Sequence, residues 1–162
     1  MIFNFEHNAL PGSLELAYLG DALYDLYVRE HLIAKGGRVR AMHREAISLV
    51  CAHAQAEALH RVQDSLTEAE ADVVRRARNA HQNPPKNADP GEYHHATALE
   101  ALIGWLYVTG QGDRMNEVLR MALPEVGEEG LGIREQGTGN RNSGCRDPVG
   151  MPFMASAPAI TP

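Results

Sequence analysis

An all-α domain is the fold class that this sequence predicts, and three observations predict it. The chain of 162 residues is 44% hydrophobic yet only 6% aromatic, and its apolar content is rich in Ala and Leu with few Val/Thr alternations, a composition that favours helix over sheet. Apolar positions recur at steps of three and four, the spacing of a helix with one buried stripe. The periodic stretches are bounded by Gly, Pro or residues able to cap a helix.

Pro11-Gly12-Ser13 opens the first helix, with Ser13 as its cap, and the pattern runs from Leu14 to about Ala34, where Gly36-Gly37 stops it. A second helix is expected from Arg38 to Val62, apolar at Ala46, Ile47, Val50, Cys51, Ala54, Ala58, Leu59 and Val62. Thr67-Glu68-Ala69-Glu70 is a capping-box signature for a third, reaching about Ala80, with acids in its first turn and arginines in its last as the helix dipole prefers. Pro84-Pro85 and Asp89-Pro90 exclude helix between His81 and Glu92 and predict a long ordered loop that carries Lys86. A fourth helix covers about Tyr93 to Val108, ending at Gly110, and a fifth runs from Asp113 to about Leu123, before Pro124. From Gly127 the composition turns to Gly, Pro, Ser and Asn without periodicity. Residues 1–126 are therefore expected to form one domain and residues 127–162 a disordered tail.

The two cysteines, Cys51 and Cys145, fit no metal-ligand spacing, and Cys51 reads as a small core residue. No apolar run reaches about 18 residues, and the N-terminus lacks a basic region followed by an apolar one, so a soluble, cytoplasmic protein without membrane association is expected. The formal net charge of −6 argues against a general nucleic-acid-coating function. Its distribution is uneven. Arg29, Lys35, Arg38, Arg40 and Arg44 face only Glu30 in their stretch, and Arg75, Arg76, Arg78 and Lys86 face no acid in theirs. These are either anion-binding patches or solvated helix ends.

Two carboxylates carry the chemistry. Asp21 interrupts the apolar run Leu14 to Tyr24, and Glu100 lies within Ala96-Thr97-Ala98-Leu99-Glu100-Ala101-Leu102-Ile103-Gly104. Removing an ionised carboxylate from water costs several kcal/mol, so two such acids imply a cation or a basic partner. If the helices meet, the pair suffices for Mg2+, which takes one or two protein carboxylates, keeps several waters and binds phosphate. A cation held there could bind a scissile phosphate and lower the pKa of an attacking water. Arg or Lys partners are the alternative.

The residues also resemble a known family. Tyr18-Leu19-Gly20-Asp21-Ala22 followed by Ala98-Leu99-Glu100-Ala101-Leu102-Ile103-Gly104 is similar to the two signature helices of the ribonuclease III domain. With Tyr27-Val28-Arg29, Gln55-Ala56, Arg78-Asn79-Ala80 and Pro85-Lys86-Asn87 in the same order, the resemblance narrows to the bacterial Mini-ribonuclease III branch and covers about residues 10 to 123.

That resemblance implies an all-helical, homodimeric domain that cuts double-stranded RNA with magnesium, and a ribosomal RNA precursor of the large subunit (23S) as substrate. It places Asp21 and Glu100 on the metal-binding catalytic acids. Where the ordinary ribonuclease III signature has further carboxylates, this chain has Leu14, Ala17 and Thr97, which leaves the number of metals open; Asp25 is a candidate supporting acid. Residues 127–162 are too few and too unpatterned for a double-stranded-RNA-binding domain, so the grip on the duplex is expected to come from the catalytic domain itself, with Arg78, Asn79, Lys86 and Asn87 as candidate RNA contacts. A-form duplexes are recognised chiefly through phosphates and 2′-hydroxyls, which suits such side chains. The competing reading is a non-catalytic RNA-binding or ribosome-associated module of the same fold, from which retention of both acids argues away.

Overall fold

The computed structural model describes residues 10–123, and these form six α-helices and one short 3-10 turn with no strand among them. In chain order they are α1 (Ser13–Lys35), α2 (Val39–Val50), α3 (Ala52–Val62), the 3-10 turn Gln63–Ser65, α4 (Glu68–Arg78), α5 (Pro90–Val108) and α6 (Gly112–Ala122). The all-α expectation holds. Residues 127–162, expected as a tail, lie outside the described residues.

α5 is the axis of the fold. It is apolar all round, as a helix buried on every side must be, and it packs against α1, α3, α4 and α6. Leu99, Leu102, Ile103 and Leu106 are fully buried, each worth roughly 1.5–3 kcal/mol relative to exposure. Around them pack Leu16, Tyr24, Val28 and Leu32 of α1, Leu59 and Val62 of α3, Val73 and Ala77 of α4, and Val118 and Leu119 of α6.

Three local expectations change. The single helix expected from Arg38 to Val62 is two, broken at Cys51, whose backbone is extended (φ −71°, ψ 155°). No Gly or Pro marks this break. It lets α2 lie on α1 while α3 lies on α5, and carbonyls freed near the break are taken up from outside the helix, Leu49 O by the Tyr24 hydroxyl (3.4 Å) and Val50 O by Gln55 Nε2 (3.3 Å). Cys51 accordingly sits half-buried at the joint rather than in the core. At the start of α1, Gly12 and not Ser13 holds the cap position, and Glu15 reaches back to accept from the Gly12 N–H (2.7 Å). α5 begins at Pro90, earlier than the proline rule suggested, because proline is tolerated at a first helical position where no N–H is required; Asp89 caps it by accepting from the Glu92 N–H (2.9 Å).

The capping box of α4 forms as expected, with Thr67 Oγ1 accepting from the Glu70 N–H and Glu70 Oε2 from the Thr67 N–H. The same Glu70, 2% exposed, is clamped by Arg114 of α6 through Nε (2.8 Å) and Nη2 (2.9 Å). Its pKa falls, chiefly through the Arg114 hydrogen bond. This acid is fully occupied in joining α4 to α6.

Candidate active site

The site is made by a crossing of backbones. α1 and α5 touch where Gly20 meets Glu100 and Gly104 meets Leu16; a Cβ on Gly20 would come 1.8 Å from the Glu100 carbonyl oxygen, and one on Gly104 2.1 Å from the Leu16 carbonyl oxygen. Only a residue without Cβ permits this approach. Asp21 follows Gly20 directly, so the crossing brings the two acids expected from sequence to one place.

Their environments differ. Asp21 lies at an exposed rim, and partial burial, followed by the charge of Asp25, raises its pKa. Glu100 lies deeper, and its pKa is pushed up to about 8, first by burial and then by the charge of Asp21, against an opposing hydrogen-bonding influence of Gln55. Asp25 is ion-paired with Arg29 (3.0 Å), so it acts on Asp21 through charge. The alternative of basic partners fails: none of the ion pairs among the described residues involves Asp21 or Glu100. Two mutually repelling carboxylates without a counter-charge form a site that a small divalent cation would relieve.

The donor set is limited to that pair. Among the described residues no group of three or more His, Cys, Asp or Glu side chains is arranged to hold a metal. Two hard oxygen donors with room for water suit magnesium better than a metal that needs a closed protein cage. Thr97, one helical turn before Glu100, is already engaged: its hydroxyl lies 3.0 Å from Gln82 Oε1 and 3.1 Å from the Tyr93 carbonyl oxygen. It therefore ties the loop after α4 to the acid-bearing helix. Leu14 is exposed and Ala17 buried, and neither offers a ligand atom.

Arg78 ends α4, Asn79 is its C-cap, and Lys86 and Asn87 lie in the Pro-bounded loop; all four are exposed. Their patch is smaller than the sequence suggested. Asp72, just upstream on α4, pairs with both Arg75 and Arg76, whereas Arg78 and Lys86 have no ion pair with any described residue. The earlier basic stretch shrinks likewise, since Arg29 pairs with Asp25 and Lys35 with Glu45.

The histidines are structural neighbours rather than ligands. His53 Nδ1 is 2.8 Å from Glu92 Oε1, an acidic partner supplied by another helix and thus invisible in spacing along α3. His95 stacks near His60 at 5.2 Å between ring centroids, with its Nδ1 2.7 Å from the Gly91 carbonyl oxygen. Tyr24 is core, whereas Tyr18 is 80% exposed. The residue that sequence reasoning passed over as a site member is Gln55, buried beside Glu100. Its signal was present: an amide three and four places before the core residues Ala58 and Leu59.

Comparison with known proteins shows the family. Residues 14–111 match the Ribonuclease III domain family. The Mini-ribonuclease 3 of Symbiobacterium thermophilum is 54% identical over 111 residues, covering 67% of this chain and 85% of that protein. The Mini-ribonuclease 3 of a Thermoanaerobacter species is 41% identical over 117 residues, covering 71% and 82%. The crystal structure of a Fusobacterium nucleatum protein superposes with a TM-score of 0.65 at 28% identity, covering 69% of this chain and 93% of that one. With the match spanning both acid-bearing helices and most of each relative's length, the chain belongs to the ribonuclease III family, in its Mini-ribonuclease 3 branch.

Proposed function

We propose that this chain is a magnesium-dependent endoribonuclease that cuts double-stranded RNA as a homodimer, with a large-subunit ribosomal RNA precursor in the cytoplasm as its substrate and residues 1–126 as its catalytic unit. Family membership carries the coarser statement, that it is a phosphodiester-hydrolysing endoribonuclease. The observation that supports the finer one is the meeting of Asp21 and Glu100 at the Gly20–Gly104 crossing, without a basic partner among the described residues.

Asp21 and Glu100 are the residues that would hold Mg2+. When bound, the ion supplies Lewis-acid polarisation of the scissile phosphate and a water of lowered pKa. The chain's own part is organisation. Asp21, at the rim, presents its carboxylate to solvent and substrate together. Glu100, whose pKa burial raises to about 8, would act as a ligand in its ionised form, and its buried position would keep that carboxylate from wandering. Arg78 and Lys86, without an ion pair to any described residue, hold phosphates of the duplex, and the amides of Asn79 and Asn87 offer hydrogen bonds to its sugar–phosphate edge.

The test is cleavage of a long duplex RNA with magnesium by Asp21→Asn and Glu100→Gln beside the parent. Each swap keeps the shape and removes the charge that the cation needs, so rates should fall by orders of magnitude while duplex binding persists. Cutting by either variant within about threefold of the parent would remove that acid from the metal site and favour the non-catalytic reading. In the same binding assay, Arg78→Ala and Lys86→Ala should each flatten the salt dependence by roughly 0.7–0.9 of a logarithmic slope unit.

A further inference from the structure

Three polar or charged side chains among the described residues are nearly out of solvent: Gln55, Glu70 and Thr97, at 2%, 2% and 6% exposure. Glu70 is satisfied by Arg114 and Thr67, and Thr97 by Gln82 and the Tyr93 carbonyl. Gln55 is not satisfied. Its Nε2 makes one long bond to the Val50 carbonyl oxygen (3.3 Å), and its Oε1 has no partner. A half-satisfied buried amide is costly to a fold, and Leu or Met would fill the same space without that cost.

Its surroundings supply a reason for it. Gln55 lies on α3, which packs on α5, and its buried side chain is in hydrogen-bonding contact with the Glu100 carboxyl. Asp21 reaches the same carboxyl from α1. α1 and α3 each pack on α5 without forming a comparable interface with one another, so two separate elements address Glu100.

We propose that Gln55 is a positioning residue of the active site: from α3, its side-chain amide fixes the rotamer of Glu100 so that the carboxylate is presented to the cation it shares with Asp21. The inference rests on the metal-dependent reading above. With only two carboxylates at the site among the described residues, each must be held, because no third one there compensates for a misplaced one. An amide suits the task because its N–H groups address the carboxylate without adding a charge. A lysine would compete with the cation for the site, and a leucine would leave the acid unheld.

Supporting partners of metal ligands typically contribute about 10–100-fold in metal affinity or activity. The test uses the full chain carrying Gln55→Leu and, as a second apolar filler, Gln55→Met. Three quantities are measured: thermal melting, calorimetric Mn2+ binding without RNA, and the magnesium concentration for half-maximal duplex cleavage. Folded variants should bind Mn2+ about 10–100-fold more weakly and need correspondingly more magnesium, with duplex affinity in chelator unchanged. Parent-like Mn2+ affinity in a folded variant, or melting of both variants far below the parent, would make Gln55 a core residue and overturn the inference. If the parent binds no Mn2+ that Asp21→Asn abolishes, the metal-dependent reading falls with it, which separates the two failures.

Discussion

At the scale of the residue, Glu100 is the least comfortable group in the described chain. Its pKa of about 8 in the fold, against an ordinary 4.5, means that the native state holds a proton that the unfolded chain has released. Stability from this source is therefore full below about pH 4.5 and is lost as pH rises through about 8, a span worth a few kcal/mol in all at about 1.4 kcal/mol per pH unit. Glu100→Gln should accordingly raise the melting temperature of metal-free protein near pH 9, with the gain vanishing below about pH 5; melting curves across pH check this. Magnesium should narrow the difference at high pH by stabilising the parent more than the variant. Equal effects at both ends of the range would mean that Glu100 is not desolvated. Both acids were legible in the sequence because a carboxylate inside an apolar helix needs a compensating group. Gln55 was harder to read, since an amide on a helix betrays its role only when the facing helix is known.

At the scale of the element, the α1–α5 crossing decides whether the site exists. In Gly20→Ala and Gly104→Ala the new methyl meets carbonyl backbone, which cannot rotate away as a side chain can. The helices must separate, and overpacking of this kind costs about 1–3 kcal/mol or more. Gly112→Ala is the control: nothing lies within 4 Å of a Cβ there, so it should be neutral or stabilising by up to about 1 kcal/mol. Denaturant midpoints for the three variants measure the contrast, and Gly20→Ala should also lose cleavage as its neighbour Asp21 moves off Glu100. A stable, active Gly20→Ala would remove the crossing from the account of the site. Helix starts and stops were readable where capping chemistry marks them, as in the Thr67 box. The break at Cys51 was not, because tertiary packing on two different helices causes it and no local breaker does.

At the scale of the whole molecule, α1 is more apolar than one core requires. Leu14, Tyr18, Leu26 and Ile33 are 44%, 80%, 54% and 67% exposed, and they lie along one side of the helix that carries Asp21. Exposed apolar side chains along one side of a helix suit a self-complementary interface. Tyr18→Glu should convert a dimer into a folded monomer, read by sedimentation with helicity unchanged. A parent chain that sediments as a monomer at micromolar concentration would end the dimer proposal. The excess apolarity was legible in the sequence, whereas which of its residues reach solvent depended on how α1 settles against α5. The position of the two acids along the chain bears on timing as well as chemistry. Asp21 belongs to the first helix made and Glu100 to the fifth, so a growing polypeptide carries only one of the two acids until α5 has left the ribosome and docked. On the proposed assignment of the two acids, cleavage would then have to wait for α5 to close the crossing, so that activity is timed by folding as well as by chemistry.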